Sequence, residues 1–269
     1  MEVVLKNVSY RYKNKKLLER INLKIRDDRI TGVTGDNKTL LIEMIDSITL
    51  PTYGEIKIGN EVISSDNLME MRKKVCLIRQ RPKEQFFTEN VREEMLFLVG
   101  RLNYQNKNIT KKMKEALGIV GLSEKYLDQD IFKLSSGEQK LIQIAISLLY
   151  NPEVIIFDEP FVELDYTNKK KLIKLIKILK QRYHKTIIIA SNDSNLLYSL
   201  TDDLVIIKKS RIIAADETVK IYQDVKFLMY NDIEIPNLVL FTYKAKNKKV
   251  KLSYHRDILD LIKDVYKHV

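Results

Sequence analysis

The chain is 269 residues long, 45% hydrophobic and 31% charged, with a net charge of +11. The apolar share supports a packed core and excludes global disorder, while no apolar run reaches the ~18–20 residues of a membrane-spanning helix. A single cysteine, Cys76 in the apolar run "VCLI", excludes an internal disulfide and reads as core packing in a reducing compartment.

The opening "MEVVLKNVSY" lacks the charged-then-apolar layout of a signal peptide, so a cytosolic chain is expected. Residues 2–12 alternate as a strand, followed by short strands at "INLKI" and "ITGV". Helical spacing then runs through "KTLLIEMIDSI", residues 38–48, and "GEIKIGNEV" reads as a hairpin before the buried strand "KKVCLIRQ". From about Thr88 to Tyr150 the pattern is helical. Strands return at "EVIIFDEP", "KTIIIASND" and "DLVIIKKSRIIAAD", with a helix expected over 167–182. Strands alternating with helices around a helical insert predict an α/β sheet. The alternation ends near residue 222, so 223–269 is expected to form a small extension. The basic residues gather at "YKNKK", "NKKKLIKLIKILKQR" and "KAKNKKVK". The second of these follows an apolar i, i+3, i+4 pattern and reads as a solvated helix face, with docking to an anionic membrane surface as the alternative.

Three motifs carry chemistry. "GVTGDNKT", residues 32–39, follows the phosphate-loop pattern Gly-x-x-x-x-Gly-Lys-Ser/Thr, except that Asn37 stands in place of the last glycine. In such a loop, backbone N–H groups at a helix N-terminus wrap a phosphate, the lysine reaches the outer phosphates and the hydroxyl holds Mg²⁺. Gly32, Thr34, Gly35, Asp36, Asn37, Lys38, Thr39 and Leu40 are therefore candidate nucleotide contacts. Asn tolerates left-handed backbone angles, yet its side chain is expected to crowd the phosphates and weaken binding. The apolar strand "VIIFDEP" ends in Asp158 and Glu159, a pattern that would aim Asp158 at a metal and leave Glu159 to polarise an attacking water; by itself it reads equally as a strand ending in a solvated acidic turn. "LSSGEQK", residues 134–140, opens a helix: Leu134, Ser135, Ser136, Gly137 and Glu138 offer a hydroxyl and N–H donors to an anion, or a plain capping box.

Together these motifs resemble the ABC ATPases, whose signature LSGGQ lies between the two Walker motifs in this order. The resemblance covers residues 2–215 and implies a P-loop α/β core, an antiparallel β subdomain and a helical subdomain over about 88–150. It implies a Q-loop at Gln80, contacting Mg²⁺ with Thr39 and Asp158, and a D-loop at Asp165. Tyr12 matches the aromatic that stacks on adenine, with Tyr10 as competitor. Segment 79–95, "RQRPKEQFFTENVREEM", further resembles the A components of energy-coupling factor importers, from whose pattern Arg81 and Lys83 depart. The tail from Asn231 resembles their C-terminal extension, a candidate dimerisation element.

A second departure falls in the same site. The histidine that such ATPases use at the γ-phosphate corresponds to Asn192; the chain's histidines are His184, His255 and His268. Asn carries no proton at neutral pH. Losing such a group typically costs roughly 10²–10⁴ in rate, or about 3–5 kcal/mol of barrier.

In that family ATP is sandwiched between the Walker motifs of one subunit and the signature of another. The resemblance thus implies the slow-site member of an asymmetric heterodimer, with a crippled homodimer as the alternative. Its partners are a second ABC ATPase and integral membrane subunits, its ligands ATP and Mg²⁺, and its place the cytoplasmic face of a membrane; the solute is a vitamin or metal ion. Two rivals stand beside this: a soluble ABC protein on DNA or the ribosome, and a nucleotide-binding regulator without turnover. The gap of 54 positions from Gln80 to Leu134 is too short for the long coiled coil of DNA-repair relatives, and nucleic acid is not favoured.

Overall fold

The computed structural model describes residues 1–102 and 108–267; His268 lies outside them. In chain order the elements begin with β1 (Val3–Tyr12), β2 (Lys15–Ile25), β3 (Ile30–Gly35), α1 (Lys38–Ile45), β4 (Tyr53–Ile58), β5 (Glu61–Val62), α2 (Leu68–Lys74) and β6 (Val75–Ile78). A helical stretch follows with α3 (Val91–Arg101), α4 (Ile109–Ile119) and α5 (Ser136–Leu148). The chain then runs through β7 (Val154–Asp158), α6 (Tyr166–Tyr183), β8 (Thr186–Ala190), α7 (Ser194–Leu200), β9 (Asp203–Lys208) and β10 (Arg211–Glu217). It closes with α8 (Thr218–Gln223), α9 (Val225–Tyr230), α10 (Asn237–Asn247) and α11 (Ile258–Tyr266).

Two expectations need correction. The strand expected at "INLKI" begins six residues earlier, at Lys15, because a two-residue turn at Lys13 and Asn14, both left-handed (φ 43° and 64°), folds it back on β1. Its first half escapes the alternation test because charged side chains, Lys15, Lys16, Glu19 and Arg20, surround the one buried residue there, Leu18. Helix α1 stops at Ile45 rather than Ile48: Ser47 turns left-handed at φ 61°, and the N–H groups of Ile48 and Thr49 fold back onto Glu43 O.

Two sheets organise the chain. One is antiparallel, in the order β2-β1-β4-β5; the other runs β10-β9-β3-β8-β7-β6, parallel except for β10 at its edge. The larger sheet is buried on both faces, which is why its strands read as continuous apolar runs rather than alternating ones. Alternate residues feed two separate cores. Ile155, Phe157, Ile187 and Ile189 pack with the helical stretch, while Val154, Ile156, Ile188 and Ala190 pack with α1 and the antiparallel sheet. The first core continues through Ile221, Tyr222, Val225, Leu228 and Val239, so packing is continuous across residue 222.

The C-terminal segment also grips α7 at both ends. Asn195 Oδ1 accepts from the N–H of Asn237 at 2.7 Å, and the Arg256 guanidinium donates to Tyr198 O and Thr201 O at 2.7 and 2.5 Å. The latter bonds satisfy carbonyls that a helix C-terminus leaves open.

Ile188 has no exposed surface, whereas Leu259 on α11 is 63% exposed. Ile188→Ala is therefore expected to cost about 2–5 kcal/mol in urea unfolding. Leu259→Ala should stay within about 0.5 kcal/mol of the parent. Equal costs would show that the central strand is not the packed one.

Candidate nucleotide site

The site is built where β3, β7 and β8 end side by side. Val33, Ala190 and Asp158 are in register across the three strands, and Ser191 N–H donates to Val33 O while Glu159 N–H donates to Ala190 O. β7 and β8 end there, and β3 runs on beside β9 only to Gly35, so the following loops leave from the C-terminal ends of the strands, where open α/β sheets bind ligands.

The loop from Gly32 turns on two left-handed residues. Gly35 sits at φ +98°, and a Cβ there would lie 2.0 Å from Ile207 O, so only glycine fits. Asn37 caps α1 at φ 55°, ψ 24°. Its amide donates to Leu17 O at 2.8 Å, so the side chain expected to crowd a phosphate is anchored on β2. Asp36 is engaged elsewhere too: its N–H donates to Ile207 O and its carboxylate accepts from Lys209 N–H at 2.9 Å. Leu40 packs against the second core. Tyr12, 55% exposed, stands at the hairpin tip beside the Lys13 ammonium and bonds to none of the loop residues.

The acidic groups close the other side. Thr39 Oγ lies 3.4 Å from Asp158 Oδ1. Enclosure pushes the Asp158 carboxyl above its usual range, the Lys38 ammonium pulls it back, and the Glu159 charge adds to the rise. A hydroxyl beside an enclosed carboxylate is the hard-oxygen donor set that Mg²⁺ takes, with phosphates completing the shell. Glu159 sits at φ 41°, a backbone state that costs a non-glycine residue about 1–3 kcal/mol. Three partners hold its carboxylate: Lys38 Nζ at 3.2 Å, Ser191 Oγ at 2.9 Å and the N–H of Asn192 at 3.1 Å. The Asn192 side chain lies 3.5 Å from Thr34 Oγ. Thr34, Lys38, Thr39, Asp158, Glu159 and Asn192 are thus brought together.

Gln80 is held through its backbone rather than its side chain. Lys140 on α5, only 3% exposed, donates to Arg79 O at 2.5 Å and to Gln80 O at 2.8 Å. Burial pulls this ammonium down to about 8, against the opposing pull of Asp158 and Glu163. Lys140 ends the polar stretch that opens α5, just before its apolar run, and nothing in the local sequence marks it out.

Residues of the signature segment cap α5. Ser135 and Glu138 form a reciprocal capping box, and Tyr126 donates to Glu138 at 2.6 Å. The bonds from Ser135 and Tyr126 hold the Glu138 carboxyl below its usual range. Asp165 caps α6 through the N–H of Asn168, whose side chain lies against Gly137: a Cβ on Gly137 would come within 2.7 Å of it. Leu134 packs against the first core and Ser136 opens the helix. Among the described residues no hydrogen bond or ion pair joins 134–138 to the loop 32–39.

The family model described as ABC transporter matches residues 18–162. The energy-coupling factor transporter ATP-binding protein EcfA2 of Clostridium tetani is 30% identical, covering 94% of this chain and 92% of that protein. Its namesake from Enterococcus faecalis is 28% identical, with coverages of 92% and 90%. Among solved structures, cbiO1 of Clostridium perfringens, described as part of the ABC transporter complex cbiONQ, superimposes with a TM-score of 0.75 at 25% identity. That match covers 90% of this chain and 98% of the other.

Because a Cβ on Gly137 would meet only the tip of the Asn168 side chain, which can swing aside, Gly137→Ala is expected to cost at most about 1 kcal/mol, the low end of overpacking. Removing the opposing amide with Asn168→Ala should relieve it, giving a coupling of at least ~0.5 kcal/mol in a double-mutant cycle by urea unfolding. Additive costs would show that the two segments do not meet.

Proposed function

The chain belongs to the ABC transporter ATPase family, and from that membership we propose that it is the ATP-binding subunit of an energy-coupling factor importer. The reading that carries this is the convergence of Lys38, Thr39, Asp158 and Glu159 at one sheet edge, with the signature segment held apart on α5. A composite site then needs a second ATPase, whose signature covers this loop while Ser135 and Gly137 cover the partner's.

Within its own site, the Lys38 ammonium leaves Glu159 for the incoming phosphates, freeing the carboxylate to orient a water. Bound Mg²⁺ would supply positive charge against the phosphate oxygens, held by Thr39 and Asp158. The N–H of Asn192 and the Ser191 hydroxyl keep Glu159 aimed. What the site lacks is a proton-carrying side chain at position 192. This chain is accordingly the slow member of an asymmetric pair, completing a faster site on its partner.

Transmission to membrane subunits falls to the region after Gln80. A cavity of about 250 Å³ opens there between α3, α5 and β6, lined by Phe86, Phe87, Phe97, Arg101, Gln143 and Tyr150. Phe87 is 71% exposed at its mouth. No helix among the described residues is long and apolar enough to cross a membrane, so attachment to the membrane goes through those subunits. The transported solute, a vitamin or metal ion in importers of this type, is chosen by a separate membrane component.

Purification from the source cell in mild detergent should recover a second ABC ATPase together with membrane proteins; recovery of ribosomal or DNA-bound proteins instead would end this reading. In the assembled complex Ser135→Ala is expected to lower ATP turnover more than Glu159→Gln does, and the reverse ranking would refute the asymmetry. Asn192→His should raise the turnover of this chain's own site by roughly 10²-fold or more, read as phosphate release in a complex whose partner site is disabled.

A further inference from the structure

We propose that Lys140 is a positioning residue, whose buried ammonium fastens the signature helix to the loop of Gln80 so that the two move together when nucleotide is taken up. This rests on the reading of the site as an ATP site. The observation is an unusual pairing: an almost fully enclosed cation whose two bonds go to successive main-chain carbonyls, Arg79 O and Gln80 O. A buried charge is tolerated only where it is compensated. Here the charges of Asp158, at the end of β7 in the nucleotide site, and of Glu163, two residues before Asp165, act on it.

The fastening continues beyond the Gln80 loop. The Arg79 guanidinium lies 3.3 Å from Glu43 Oε1, on the helix that begins with Lys38 and Thr39. One line of polar contacts therefore runs from α5 through Lys140, Arg79 and Glu43 to α1. Two neighbouring contacts reinforce it: Gln143, one turn along α5, bonds to Gln85, and Gln85 Oε1 accepts from the N–H of Arg79 at 3.2 Å. Packing alone would not need a cation at position 140. A methionine fills similar space, but it takes the Lys140 donor from two half-buried carbonyls and frees the loop to move separately from the helix.

The test is a distance measurement between spin labels on Lys111→Cys of α4 and Lys24→Cys of β2, both exposed positions. Cys76 is buried, with its thiol pushed up by desolvation, and stays unlabelled. Saturating Mg-ATP should shift the distance in the full chain. Lys140→Met should lose most of that shift, and Lys140→Arg should keep it. An unchanged shift in Lys140→Met, no shift in the parent despite bound ATP, or equal loss in Lys140→Arg would each overturn the proposal. ATP binding is measured separately by calorimetry: a parent chain that binds none refutes the ATP-site reading itself, and this inference with it. Should Lys140→Met not fold, Lys140→Gln replaces it, with a reduced shift expected and an undiminished one decisive against the proposal.

Discussion

The register of Val33, Ala190 and Asp158 across β3, β8 and β7 is the constraint on which the rest depends. A slip by one residue in a pleated strand turns every side chain to the other face. Here it would exchange the two cores and carry Asp158 away from Thr39. The register is therefore specified twice, by apolar packing on both faces of the sheet and by the polar groups at its edge. Glu159 pays for its left-handed backbone with bonds to Lys38, Ser191 and Asn192, all of which the same alignment supplies.

Much of this was legible in the sequence because the informative patterns are local. A glycine-bearing loop between strand and helix, an apolar strand ending in Asp158-Glu159, and a capped helix at Ser135 are each contained in fewer than ten residues. What stayed hidden depends on partners far away in the chain. Nothing near Asn37 announces Leu17 O as its acceptor, and nothing near Lys140 announces the carbonyls of Arg79 and Gln80. Gly137 shows the same limit: its glycine matched a motif, but nothing nearby announces the Asn168 side chain that lies against it. Surface strands are masked for another reason. The exposed charges along β2 obey no alternation that burial would impose.

The C-terminal segment looks peripheral in the sequence, yet its polar anchors reach inward. Asn237 and Arg256 hold opposite ends of α7, which starts two residues after Asn192. Movement of that segment is thus constrained by the C-terminal part of the chain. The same C-terminal part leaves the apolar side chains of Ile258, Leu259 and Ile262 on α11 exposed.

Asn37 alters what repair of the phosphate loop would mean. Its backbone does what a glycine would do there, while its amide also ties the loop to the β1–β2 hairpin through Leu17 O. Glycine at this position keeps the left-handed backbone but leaves the hairpin without that tether. Two parts of the fold thus share one side chain, and a glycine there would keep the turn of the loop while loosening the hairpin.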